Sequence, residues 1–197
     1  MITLLTLEQA AYIIVGVLAV VLIIALLVLL IYKRVFSKHK YKEATYIKLN
    51  RLARNKDYLL LNNYKVDFDD NHIGYIDHLL ISKKYIYAIN DFSLSGVITG
   101  ELKGRSLTIV DGKNEVKQIN NPLNYNINLV KRFNLYNNLD QSFVKGVVVV
   151  NDDTYIKIEN SNSQFFMIQR CKLVRVIKKF DKDNEKNFSE ETIVKFI

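Results

Sequence analysis

The chain has 197 residues, with 28 Lys and Arg against 20 Asp and Glu. This length allows one ordinary domain plus one further segment. Cys171 is the only cysteine, which excludes an intrachain disulfide and any zinc site built on cysteine pairs, and the three dispersed histidines show no metal-ligand spacing.

The first notable segment is an uncharged, strongly apolar run over residues 10–32. Its 23 residues would span roughly 34 Å as a helix, which exceeds the hydrocarbon core of a bilayer at about 30 Å. A cleaved signal peptide is disfavoured, because residues 1–9 contain no Lys or Arg and the apolar run is too long. We therefore predict a short extracytoplasmic segment over 1–9 and a transmembrane helix over 10–32.

The charge on either side of this run predicts its orientation. Residues 1–32 carry one acid and no base, whereas residues 33–57 carry nine bases and two acids. Because positive flanks stay in the cytoplasm, we expect the N-terminus outside and the domain inside the cell. The predicted basic juxtamembrane segment, residues 33–42, would contact anionic lipid through Lys33, Arg34, Lys38, Lys40 and Lys42.

The rest of the chain predicts an α/β domain over residues 43–197. Residues 41–56 have apolar side chains at helical spacing, namely Tyr46, Leu49, Leu52 and Ala53, after a break near residues 37–38. Six strands are predicted next, over 58–61, 73–81, 85–89, 96–101, 106–110 and 115–119. Asn121 and Pro122 suit the start of a helix, as its N-cap and first residue.

The C-terminal third completes this predicted domain. Residues 144–150 are apolar at successive positions, which is typical of a central strand covered on both faces. Weaker strand patterns cover 155–159 and 164–168, and short helices are predicted over 172–180 and 189–197. We expect these elements to form one mixed sheet with helices against it.

Three segments together resemble a known family. Residues 76–82 contain Ile-Asp-His followed by apolar residues, residues 85–100 end in Gly-Val-Ile-Thr-Gly, and residues 121–126 begin Asn-Pro. In this order and spacing they resemble the nuclease-related domain (NERD) family over roughly residues 43–150. That family is similar to a branch of the PD-(D/E)xK nucleases, so the resemblance implies a restriction-endonuclease-like mixed-sheet fold.

The resemblance also implies a set of site positions. An Asp and a Glu on neighbouring strands would hold Mg²⁺, which activates water for attack on a phosphate, and a Lys two residues after the Glu would assist. Asp77 matches the metal-binding Asp, and Glu43 is the candidate for a further Glu on the first helix. Asn90 and Phe92 occupy the Glu and Lys positions, and Tyr125 occupies the position of a Gln.

These substitutions predict a degenerate site. Asn is a weak metal ligand and Phe donates no hydrogen bond, so Asp77 would be the one remaining, weak ligand. Asp91 is the nearest acid that could substitute, but strand alternation points it away from Asn90 unless a bulge re-aims it. The same alternation places His78 on the face opposite Asp77, where a packed, hydrogen-bonded histidine is the simpler interpretation.

We therefore expect a membrane-anchored pseudo-nuclease that binds nucleic acid or a protein, with no cofactor. The alternatives are an active Mg²⁺-dependent nuclease with a rearranged site, and an envelope-associated interaction scaffold. Residues 58–197 carry 19 bases and 17 acids, and this near-neutral charge favours a protein partner, because phosphate contacts need Lys and Arg. The candidates for nucleic-acid contact are the bases nearest the three segments: Lys83, Lys84, Lys103, Arg105, Lys131 and Arg132.

Overall fold

The computed structural model describes residues 7–54, 58–69, 72–159 and 162–183. The chain divides into two compact units, Met1–Lys40 and Tyr41–Ile197. Helix α1 covers Leu7–Arg54 without interruption, so the predicted break near residues 37–38 is wrong. The predicted helix over 189–197 lies outside the described residues.

In the described part of the chain, no helix is long and apolar enough to cross a membrane. The transmembrane helix predicted over residues 10–32 is therefore not supported by the structure.

The second unit contains a five-stranded mixed sheet in the order β1-β2-β3-β7-β9. Its strands are β1 (Leu59–Asp69), β2 (His72–Ile81), β3 (Ile86–Asp91), β7 (Val144–Val150) and β9 (Phe165–Gln169). Strands β1, β2 and β3 pair antiparallel, whereas β3, β7 and β9 pair parallel. Strand β7 lies in the interior of this sheet and is buried at every position, as its apolar run predicts.

A second, four-stranded sheet was not predicted. It has the order β6-β5-β4-β8 and contains β4 (Val97–Glu101), β5 (Ser106–Val110), β6 (Val116–Asn120) and β8 (Tyr155–Glu159). The individual strands match the predictions closely. The expectation of a single mixed sheet is wrong, because β8 pairs parallel with β4 and does not join β7.

Helices cover both faces of the five-stranded sheet. Helix α2 (Pro122–Asn137) shares one core with this sheet and with the four-stranded sheet, through side chains such as Leu123, Val130 and Phe133. The end of α1 and helix α3 (Leu173–Asp183) cover the other face, where Leu49 and Leu173 pack against strands β2, β3 and β7. Short 3-10 helices precede β7 and α3.

One carboxylate holds the end of α3 against the sheet. Asp181 accepts hydrogen bonds from the hydroxyl groups of Tyr58 at 2.5 Å, Tyr87 at 2.7 Å and Ser82 at 3.0 Å. Tyr87 is fully buried. Burial, followed by the neighbouring charge of Asp181, raises the pKa of Tyr87 far above its usual value.

Candidate functional site

The family-motif positions lie where strands β2 and β3 separate. Their paired register runs from the β2–β3 turn only as far as His78. Beyond it, side chains take the place of ladder bonds: Asp77 Oδ2 accepts from the backbone N–H of Asp91 at 2.9 Å, and Asn90 Nδ2 donates to the carbonyl of Tyr75, also at 2.9 Å. Asp77 and Asn90 therefore hold the two separating strands together.

The other carboxylate oxygen of Asp77 has a cationic partner from α1. Lys42 Nζ lies 2.6 Å from Asp77 Oδ1, and the two side chains are 51% and 9% exposed. Lys42, which we expected to contact lipid, is thus the cation next to the motif acid. Both oxygens of Asp77 have protein donors.

The amide of Asn90 is also fully used within the domain. Asn126 Nδ2 donates to Asn90 Oδ1 at 2.9 Å and to the carbonyl of Ala88 at 3.1 Å. Sequence reasoning missed Asn126, since the resemblance pointed to Tyr125, whose side chain is 43% exposed. Phe92, at the Lys position, is half-buried and packs against the larger core.

Asp91 lies in a separate polar network on the α1 side of the sheet. Its side chain is 1% exposed, accepts from the hydroxyl of Thr45 at 2.5 Å and lies 3.1 Å from His78 Nε2. The other ring nitrogen of His78 lies 2.7 Å from Asn62 Oδ1. As alternation predicts, Asp91 faces away from Asn90 and His78 is packed and partnered.

Arg170 extends this network to the end of strand β9. Its Nε donates to Thr45 Oγ1 at 3.1 Å, its guanidinium lies 5.1 Å from the ring centroid of Tyr41, and it is 8% exposed. Thr45 follows the helical spacing that buries Leu49, so it could have been found from the sequence. Arg170 follows a short strand and carries no such signal.

The described residues contain no preformed cluster of ligands for Mg²⁺. Among the residues that the structure describes, no group of three or more His, Cys, Asp or Glu side chains could hold a metal. Glu43, the candidate helix ligand, is exposed on α1. An ion at Asp77 or Asn90 would have to share or displace the hydrogen bonds that these side chains make with Lys42, the Asp91 N–H and Asn126.

The family comparison adds an independent observation. A family model described as the nuclease-related domain matches residues 38–151, more than half of the chain. The chain belongs to the NERD family. Its function is accordingly nuclease-related. No curated protein and no solved structure matches the chain.

The match covers the NERD domain from the end of α1 to the end of β7 and stops before Arg170. It includes Asn121, which is buried and caps α2 by accepting from the backbone N–H of Leu123. The amide of Asn121 also donates to the carbonyls of Glu101, Leu102 and Gly104. The motif Asn thus joins α2 to the β4–β5 turn.

The predicted nucleic-acid contacts lie on three separate elements of the NERD domain. Lys83 and Lys84 lie in the turn before β3, at the opposite end of that strand from Asp91. The turn between β4 and β5 contains Lys103 and Arg105, and both are exposed. The last pair, Lys131 and Arg132, is exposed on α2.

Proposed function

We propose that this NERD domain does not cleave nucleic acid and acts by binding, at a membrane. The proposal rests on one observation: the motif side chains make hydrogen bonds that join strands and helices within the domain. Asp77 joins β2 to β3 and α1, and Asn90 joins β2 to β3 and α2. A metal at this position would have to share or displace these internal hydrogen bonds.

The ion pair with Lys42 is a second argument against a metal at Asp77. An ammonium 2.6 Å from Oδ1 occupies the side of the carboxylate that a divalent cation would approach. Binding of the cation would place two positive groups together unless Lys42 moved away. The half-exposed side chain of Lys42 has room to move away. The buried hydrogen bonds of Asn90 are therefore stronger evidence against a metal than this ion pair.

The same lysine supports a second candidate, an active nuclease with a rearranged site. Phe92 replaces the motif lysine, but Lys42 brings an ammonium to the motif Asp from another element. In this candidate Lys42 would position the phosphate or the attacking water. It predicts metal-dependent cleavage that requires both Asp77 and Lys42.

Attachment to a membrane is the other part of the proposal, and it rests on the sequence of residues 10–32. In the first unit, every large apolar side chain described between Tyr12 and Leu30 is more than half exposed. Such a surface needs an apolar cover, and a bilayer is the cover that a run of 23 uncharged residues suits. The side chains at both ends of the run, residues 10–11 and 31–32, lie outside the described residues.

The proposed orientation, with the domain in the cytoplasm, follows from the bases of residues 33–57. Protease added to intact spheroplasts should leave the domain undigested, and should digest it after lysis. Digestion before lysis would reverse the orientation. Release of the protein from membranes by alkaline carbonate would contradict the anchor.

The non-cleaving function is tested with the full-length chain in detergent micelles, supplied with Mg²⁺ or Mn²⁺. We expect single- and double-stranded DNA and RNA to be cleaved no faster than by Asp77→Ala. Glu159→Ala, which changes an exposed acid at the end of β8, is the matched control. Cleavage that Asp77→Ala and Lys42→Met abolish, and Glu159→Ala does not, would establish the second candidate instead.

A further inference from the structure

A cavity of about 260 Å³ lies between β1 and the C-terminal half of α2, and shares no residue with the motif site. Its lining residues are Tyr64, Lys65, Val66, Asp67, Phe133, Tyr136 and Asn137. Pockets for drug-sized ligands hold about 300 to 1,000 Å³. This cavity is therefore the size of one small ring system.

The walls of the cavity are aromatic. The rings of Tyr64 and Phe133 meet edge to face with their centroids 5.5 Å apart, which fixes the orientation of Tyr64. Tyr136, on the next turn of α2, is 81% exposed. A large ring left in water beside a cavity is available to stack on a flat ligand.

The rim of the cavity can hydrogen-bond the edges of such a ligand. Lys65 and Asp67 form an ion pair of 3.1 Å and are both more than half exposed, so they offer a donor and an acceptor to a group that enters. Asn137 Nδ2 donates to the carbonyl of Phe133 at 2.8 Å. That bond fixes the amide and leaves Oδ1 as a further acceptor.

Helix α2 supplies positive charge beside the cavity. Helix α2 contains two bases, Lys131 and Arg132, and no acid. Arg132 lies four residues before Tyr136, so the two side chains are neighbours on the exposed face of the helix. A phosphate on the guanidinium of Arg132 would lie within one helical turn of a ring stacked on Tyr136.

We propose that this cavity binds one nucleotide unit, with its base on Tyr136 and its phosphate on Arg132. The proposal rests on the non-cleaving function proposed above and names its ligand class. A single unit needs one or two phosphate contacts, which agrees with the near-neutral charge of residues 58–197. The unit is either a free mononucleotide or part of a single strand, since a duplex keeps its bases stacked internally.

The experiment compares variants of the full-length chain in detergent micelles. One arm titrates adenosine monophosphate and uridine monophosphate by calorimetry, and the other titrates a labelled single-stranded 12-mer by fluorescence anisotropy. Tyr136→Ala should weaken binding about 5- to 150-fold, as expected for the loss of one base–aromatic stack. Leu135→Ala is the matched control, because Leu135 is 75% exposed on the same helix but does not line the cavity.

Arg132→Gln should weaken the binding of both probes. For the 12-mer it should also reduce the slope of log K against log salt concentration by about 0.7. Tyr136-dependent binding of the mononucleotides would identify free nucleotide as the source. Tyr136-dependent binding of the 12-mer alone would identify single strands.

Absence of binding by both probes would overturn the proposal. Binding that Tyr136→Ala leaves unchanged, or that Leu135→Ala weakens equally, would also overturn it. Such binding would be attributed to the bases of residues 33–57 or to a general apolar surface. None of these outcomes bears on cleavage, which the assay with Asp77→Ala measures separately.

Discussion

Replacement of Asp91 by Ala should destabilise the domain strongly, although Asp91 is not a motif residue. Its carboxylate is buried between Thr45 and His78, and Thr45 in turn accepts from Arg170. Removal of the carboxylate takes this acceptor from the hydroxyl of Thr45 and this neighbour from the ring of His78. The Asp91→Ala variant therefore tests whether the polar network of Thr45, His78, Asp91 and Arg170 stabilises the domain.

The magnitude follows from burial. A buried group left without its hydrogen-bond partner costs about 1 to 3 kcal/mol, and Asp91 is the partner of both Thr45 and His78. For a domain of this size each kcal/mol lowers the melting temperature by about 2 to 4 °C, so a total of about 2 to 6 kcal/mol should give a decrease of roughly 4 to 24 °C. Asp77→Asn should cost about 1 kcal/mol or less, because the amide oxygen can still accept from Asp91 N–H and Lys42, whose side chain is 51% exposed, can turn its ammonium to water.

Thermal unfolding of the full-length chain in micelles, followed by far-ultraviolet circular dichroism, measures both variants. Asp91→Ala should melt well below Asp77→Asn, which should melt close to the wild type. A melting temperature for Asp91→Ala within about 2 °C of the wild type would refute the structural role of this network. A larger loss for Asp77→Asn than for Asp91→Ala would refute it equally.

Three further predictions concern stability. Asn121→Ala should cost about 3 kcal/mol in urea unfolding, because it removes a helix cap and three hydrogen bonds to carbonyls; a loss below about 1 kcal/mol would contradict this. Gly146→Ala should cost about 1 to 3 kcal/mol or more, because a Cβ there collides with Asn126 Oδ1 and with the ring of Phe165; unchanged stability would be the contrary result. The contribution of Tyr87 to stability should be constant up to about pH 10 and be lost above it, because the tyrosine of the unfolded chain ionises there while Tyr87, with its raised pKa, stays neutral in the folded state. Tyr87→Phe should reduce this alkaline loss, and an identical pH profile would argue against it.

Local features of the fold were predictable wherever the residue pattern had a direct physical meaning. The apolar run over residues 144–150 identified the central strand, and Asn121 with Pro122 identified the start of α2. The alternation of side chains along a strand predicted that Asp91 and Asn90 point to opposite faces of the sheet, and their partners in the structure lie on opposite faces.

What the sequence did not predict depends on contacts between distant segments. Pairing of β8 with β4 creates the second sheet, and no local pattern states which strands will pair. The extent of β1 was underestimated, because the predicted strand ended at residue 61, before the polar pair Asn62 and Asn63, and Asn63 has a positive φ of 53°. No local pattern indicated that Lys42 and Asp77, which lie 35 residues apart in the chain, would form an ion pair of 2.6 Å.

We propose that the motif positions hold the strands and helices together and do not hold a metal. Titration of the full-length chain with Mn²⁺, followed by electron paramagnetic resonance, tests it most directly, with Asp77→Asn as the comparison. We predict the same weak binding of Mn²⁺ by both proteins, with no stoichiometric site. A site that binds one Mn²⁺ per chain in the wild type and is lost in Asp77→Asn would contradict the account.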